Sequence, residues 1–220
     1  MNYVIGDSHV SIFSGNADGL SVGFPNKGDK LPNFRTGNVS ARLAYNFGQR
    51  QSATAWHDHP VTVAVDHFLK GVPAGSPVIF SFGEIDCRCH VWDYALNRRS
   101  AYRSLWAVID EIVHRYVEGL EAYKDRGVNA YVLLPHVIKK KEEGTIESAV
   151  GTWEQIREAS QRFNEVMRTA WDGSRCISIF NRMCDEERYS DPDWYLDDTH
   201  LSQKNLPDML EECKRVGLEI

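Results

Sequence analysis

Ser8, near one end of the chain, and Asp197 with His200, near the other, are residues whose types could do chemistry together. Ser8 closes the trio Gly6-Asp7-Ser8 inside "YVIGDSHVSIF", and the other two stand three apart in "DWYLDDTHLS". A serine hydroxyl is nearly inert at neutral pH until a base removes its proton during attack. Asp-x-x-His spacing lets one short turn present an imidazole while the carboxylate accepts its Nδ1 proton. That leaves Nε2 free as the base. Each half is a short motif, so the argument rests on where the rest of the chain puts them.

An apolar run through Tyr3, Val4 and Ile5 reads as a buried strand that breaks at Gly6-Asp7-Ser8. The stretch from Ser14 to Asn38 is rich in Gly, Asn and Pro without a sustained period, and reads as a long surface loop of the functional kind. "SARLAYNFGQR" is expected to be a short helix started near Asn38 or Ser40 and stopped at Gly48. "VTVAVDHFLKG" is expected to be a helix, since Lys70-Gly71 is a helix stop. "SPVIFSFGEID" reads as a strand from Val78 to Phe82 that ends at Gly83, opening a loop that holds Glu84, Asp86 and Arg88.

Leu105, Val108, Ile109, Ile112, Val113, Tyr116, Val117 and Leu120 alternate steps of three and four, one face of a long helix between Ser100 and Tyr123. "GVNAYVLLP" and "CISIF" are two further buried strands. Between them lies a helix with Thr152 and Gln155 at the capping-box positions, and Ser202 starts a terminal helix. Apolar strands alternating with amphipathic helices predict a three-layer α/β/α sandwich on a mostly parallel, flavodoxin-like sheet, one domain over residues 1–220. Ligands of such folds bind beyond the C-terminal strand ends, where Ser8 and Gly83-Glu84 would meet.

In this order and position, Gly6-Asp7-Ser8 after the first strand, Gly37 in "RTGNVSA", Gly83 after a central strand and Asp197-x-x-His200 before the last helix resemble the four sequence blocks of the SGNH (GDSL-type) hydrolases. The resemblance spans almost the whole chain. It implies Ser8 as nucleophile, its N–H and that of Gly37 as oxyanion donors, His200 as base and Asp197 as its partner. It also implies an esterase, lipase, carbohydrate deacylase or acyltransferase activity, with no metal or organic cofactor. The third block of the family reads Gly-x-Asn-Asp, whereas "GEIDCR" puts Ile85 at the asparagine. Loss of one side-chain oxyanion donor costs on the order of 10² to 10³ in rate. Arg88 and Asn38 are the candidate substitutes, with Glu84 or Asp86 orienting Arg88 or binding sugar hydroxyls. The plainer reading makes Glu84, Asp86 and Arg88 an internal ion-pair network.

Rival readings rest on other residues. His57, Asp58 and His59 in "HDHP", and Cys87, Cys89 and His90 in "CRCH", have ligand types without paired zinc spacing. Asp7 and His9, with Asp86, His90 and His200, mimic the opening of a metallophosphoesterase whose later blocks are missing. His9 adjoins Ser8 too closely to be its base and is expected to be a satisfied structural or substrate-contact histidine. Trp92 and Trp194 are the aromatics nearest the site in sequence and candidates to stack on a sugar or acyl chain.

With 220 residues and a formal charge of -6, the chain has no electrostatic footprint for nucleic acid or an anionic membrane. A small or carbohydrate ester is the expected partner. No apolar run reaches the roughly 20 residues of a membrane span, and the first residues lack a basic segment followed by an apolar signal core. The expectation is a cytoplasmic protein. The 5 cysteines are odd in number and unevenly spaced, which favours reduced thiols. A polar-ligand binding module that keeps the fold without catalysis is the alternative, and Ile85 is what favours it.

Overall fold

A computed structural model describes residues 1–15, 29–39, 43–47, 61–96, 104–140 and 149–220. Five strands, β1 Asn2–Gly6, β2 Phe34–Asn38, β3 Pro77–Ser81, β4 Asn129–Leu133 and β5 Cys176–Ile177, form one sheet in the order β2-β1-β3-β4-β5. Every pairing is parallel. This is the flavodoxin-like order expected from the sequence, and its strand order reverses between β1 and β3.

Alternate strand residues supply two cores. Ile5, Val78, Phe80, Ala130 and Val132 face one way, towards α1 (Val61–Leu69), α3 (Leu105–Asp125) and most of α4 (Trp153–Ala170). Val4, Ile79, Tyr131 and Leu133 face the other way, towards α5 (Phe180–Met183) and α7 (Leu206–Arg215), with Val10, Ile12 and Phe13 from the turn after β1. α4 starts at the capping box its sequence predicts, whereas α3, expected between Ser100 and Tyr123, runs over Leu105–Asp125 behind Ser104. Ser104 Oγ accepts from the Ala107 N–H ahead of α3, and Thr152 with Gln155 forms a reciprocal capping box at α4. Ser202 caps a 3₁₀ turn, Gln203–Asn205, that runs into α7.

Four expectations are corrected. The stretch read as loop contains β2, an edge strand. Of the helix expected over "SARLAYNFGQR", the described part is a 3₁₀ turn, Ala44–Asn46, and Asn38 belongs to β2. "CISIF" keeps only two residues in the sheet before the Ser178 hydroxyl accepts from the Phe180 N–H and turns the chain into α5. The third-block loop is a π-helical turn, Asp86–His90, continuing as α2 (Val91–Leu96). All 5 cysteines are free. Among the described residues no helix is long and apolar enough to cross a membrane.

Gly6 sets the spacing between β1 and β3. A Cβ there would sit 2.0 Å from the Ser81 carbonyl oxygen and 2.7 Å from Ser81 Cβ, inside the contact distance of fixed backbone. Gly6→Ala is therefore expected to destabilise the protein by about 3 kcal/mol. Thermal unfolding checks this, and an unchanged Tm would mean that the two strands part without cost.

Candidate active site

The chain leaves β1 at Gly6 and turns at once. The Asp7 N–H donates to the Ser81 carbonyl (3.1 Å), and Asp7 Oδ1 accepts from the His9 N–H (3.0 Å), starting a 3₁₀ helix over Ser8–Ser14. Ser8 is the first residue of that helix, so its own N–H has no intrahelical acceptor. At the neighbouring strand, Gly83 takes φ +112° and lies where a Cβ would meet the Phe163 ring at 2.6 Å, so the turn after β3 needs a residue without a side chain.

The turn carrying His200 is fixed from several sides. The Leu196 N–H donates to the His200 carbonyl (2.8 Å), and the Lys139 N–H to the Asp198 carbonyl (3.1 Å). His136, just beyond β4, donates from Nε2 to the Thr199 carbonyl (2.8 Å). Burial pushes His136 down to about 3, so it is a neutral donor. The Gln203 amide reaches the carbonyls of Ser11 (3.4 Å) and Ile12 (3.3 Å), tying this turn to the helix that begins at Ser8.

These anchors bring the two ends of the chain together. Ser8 Oγ lies 2.6 Å from His200 Nε2, and His200 Nδ1 lies 2.7 Å from Asp197 Oδ2. Asp197 Oδ1 meanwhile accepts from the N–H groups of Thr199 and His200, each at 2.8 Å. Asp197 falls to about 2; burial opposes this, and the backbone and His200 hydrogen bonds outweigh it. His200 is lowered, by burial first and His9 second, against the pull of Asp197. A hydroxyl, a neutral imidazole and a carboxylate in line can pass a proton from Oγ to Nε2.

The charged residues of the third block turn inward. Glu84 is buried and accepts from Arg88 Nε (2.7 Å) and Nη2 (3.2 Å), while its Oε2 lies 2.8 Å from His9 Nε2. Glu84 is thus the partner of Arg88, and His9 takes the place expected for Asp86 in the ion-pair network. The fully buried Asp86 accepts instead from the N–H groups of Ala44 (2.7 Å) and Tyr45 (3.2 Å), locking the segment after β2 to the third block. Ile85 is buried. Gly37 is inside β2, opposite Ile5, and Asn38 ends that strand opposite Gly6. The Val39 N–H donates to the Gly6 carbonyl (2.8 Å), and the two-residue step of a parallel ladder turns the Gly37 N–H the same way, towards β1.

Asp86 also carries a pH signature. Burial raises it to about 7, against the two backbone donors that favour its charged form. A carboxyl raised above its unfolded value binds its proton more firmly in the native state. Stability is then lost as pH climbs from the ordinary aspartate range through about 7. Asp86→Asn cannot ionise, so relative to the parent it should gain on the order of 2 to 3 kcal/mol between about pH 5 and pH 8. Urea unfolding at the two pH values checks this, and an equal difference at both would show that Asp86 does not titrate across the window.

His57, Asp58 and His59 fall outside the described residues. Cys87 is buried, and His90 stacks on Tyr94 at 5.8 Å. Among the described residues no three His, Cys, Asp or Glu side chains are grouped to share a metal ion. Trp194 lies between Arg188 (4.4 Å) and Lys204 (4.6 Å), and the Trp92 indole donates to the Gln155 carbonyl (2.9 Å). His136 was not singled out from the sequence. Its signal was a Pro-His pair directly after a buried strand, at the end of the sheet where sites form.

The fold is that of the SGNH (GDSL-type) hydrolases. Axe2, an acetylxylan esterase from Geobacillus stearothermophilus, in the form of a catalytic mutant, superposes with a TM-score of 0.55 at 13% identity, over 99% of this chain and 94% of its own. The acetyl xylan esterase AlAXEase gives 0.56 at 11% identity, over 99% of this chain and 100% of its own. Phospholipase A1 from Streptomyces albidoflavus NA297 gives 0.51 at 12% identity, over 97% of each chain. No protein-family model and no curated protein matches the chain in sequence.

Proposed function

We propose that this chain is a serine esterase that removes an O-acyl group, in the first instance acetyl, from a carbohydrate. The observation that carries the reading is the run of contacts from Ser8 Oγ to His200 Nε2 (2.6 Å) and from His200 Nδ1 to Asp197 (2.7 Å). Ser8 Oγ attacks the ester carbonyl as its proton passes to His200 Nε2. The Ser8 N–H stabilises the oxyanion; the Gly37 N–H, expected as the second donor, is turned into the β1 ladder, which leaves Asn38 at the end of β2 as the candidate. Collapse expels the sugar hydroxyl, which takes the proton from His200 and leaves acetyl-Ser8. Water then gives its proton to His200 and attacks the acyl group, releasing acetic acid and restoring Ser8. An acceptor hydroxyl in place of that water would make the same chemistry an acyl transfer.

The sugar-ester assignment draws on the acetylxylan esterases that share the fold. The charged third block adds nothing to it, because Glu84, Asp86 and Arg88 are spent inside the protein. The competing reading, a polar-ligand binding module, is favoured by Ile85, whose side chain offers no hydrogen to an oxyanion. Fluorophosphonate labelling, with acetate release from acetylated xylo-oligosaccharides, separates the two. An esterase takes one label, on Ser8, and releases acetate. A chain that takes no label and releases no acetate is not this enzyme.

A further inference from the structure

His9 is not part of the proton path, yet it is buried against the base. Its ring lies flat against that of His200, with centroids 4.6 Å apart and planes 25° from parallel. Nε2 donates to Glu84 Oε2 (2.8 Å), and Arg88 grips that same carboxylate through Nε and Nη2. Its backbone N–H is held by Asp7. The His136 ring meets it edge-on at 4.9 Å. Among the described residues its Nδ1 is buried without a hydrogen-bond partner, so the ring is held through Nε2 and by its contacts with the rings of His136 and His200.

We propose that His9 is a positioning residue for the base: its imidazolium, carried on the Glu84–Arg88 brace, presses on the face of His200, fixing that ring's plane and opposing a second positive charge on it. This rests on the esterase reading, in which His200 must be unprotonated to accept the proton of Ser8. The groups facing His9 are Asp7 from the end of β1, Glu84 and Arg88 from the third block, His136 from beyond β4, and His200 with Asp197 behind it. Burial alone would strip the proton from His9, and the carboxylates of Glu84 and Asp7 overcome it and raise the group. His136 is neutral and adds no charge. His200 thus sits between a carboxylate at its edge, which favours its cation, and a cation on its face, which disfavours it. Burial, the largest cause, and the His9 charge after it outweigh Asp197, so the net direction is downward. Glu84, held well below the usual carboxylate range despite burial, keeps its charge throughout.

The test is ¹⁵N-histidine NMR titration of the full chain, which needs no turnover, beside the pH profile of kcat/KM on p-nitrophenyl acetate. On titration, His9 in the parent should still be imidazolium at the pH where His200 has already lost its proton. His9→Phe keeps a flat ring and removes the charge, so the His200 midpoint and the acid limb of the profile should both move up by roughly one pH unit. Glu84→Gln keeps the ring but withdraws the carboxylate that holds its proton, and should move the His200 midpoint the same way. A neutral His9 in the parent, or an unmoved His200 midpoint in a folded His9→Phe, overturns the inference. If both variants unfold, the parent spectrum alone decides. Absence of fluorophosphonate labelling would sink the esterase reading and leave the His200 midpoint to judge this one.

Discussion

Ser8→Ala should take no fluorophosphonate adduct and lose ester turnover by about 10⁴-fold or more, while unfolding at nearly the parent temperature. The chemical half follows from the mechanism: without Oγ there is no acyl-enzyme, and what survives is water attack helped by binding and by the oxyanion donors. The stability half follows from the contacts. Among the described residues the Ser8 hydroxyl bonds only to His200, and it is half-buried, so its loss leaves no buried donor stranded apart from a base that solvent can reach. A change within about 0.5 kcal/mol is expected. His200→Ala should lose about as much as Ser8→Ala, and the double variant little more, because nucleophile and base act as one unit. Adduct mass, initial rates and a melting curve on the same three proteins check this. Turnover in Ser8→Ala equal to the parent would place the nucleophile elsewhere.

The two ends of the site were legible because each carries a local signal. Gly6-Asp7-Ser8 interrupts an apolar run with a turn trio, and Asp197-x-x-His200 precedes the Ser202 cap of the last helix. Both signals are made by neighbours in sequence, and β3, α3 and α4 were legible for the same reason. β2 was not, since "FRTGN" has neither alternation nor a β-branched run, and its strand form comes from pairing with β1. The third block misled in a different way. Glu84, Asp86 and Arg88 have the composition of a solvated loop, and their burial depends on partners far along the chain: His9 is 75 residues from Glu84, and Ala44 is 42 from Asp86. A charge pattern in sequence cannot show that its counter-charges are supplied from another strand end. The same distance hid the stacking of His9 on His200, 4.6 Å in space and most of the chain apart.

Asp197→Asn should lower kcat by on the order of 10⁴-fold with the turn still folded, and the reason lies in how the two carboxylate oxygens divide their work. Oδ1 serves the backbone, accepting from the N–H groups of Thr199 (2.8 Å) and His200 (2.8 Å) and from the Thr199 hydroxyl (3.2 Å). Oδ2 serves the ring, at 2.7 Å from Nδ1. An asparagine can keep its carbonyl oxygen on the backbone donors, so the turn survives. Its NH₂ group then faces Nδ1 and can only donate. His200 must place its proton on Nε2, where it points at Ser8 Oγ and cannot accept the serine proton. The ¹⁵N spectrum of His200 should switch from the Nδ1–H to the Nε2–H form, a change that a merely loosened turn would not produce. Stability should fall little, because the Asp197 side chain is about half exposed, at 48%, and such pairs are worth at most about 1 kcal/mol. Parent-like kcat in a folded Asp197→Asn would mean that His200 finds its tautomer without Asp197. The hydroxyl of Thr199, 3.2 Å from Nδ1, would then be the group to remove next.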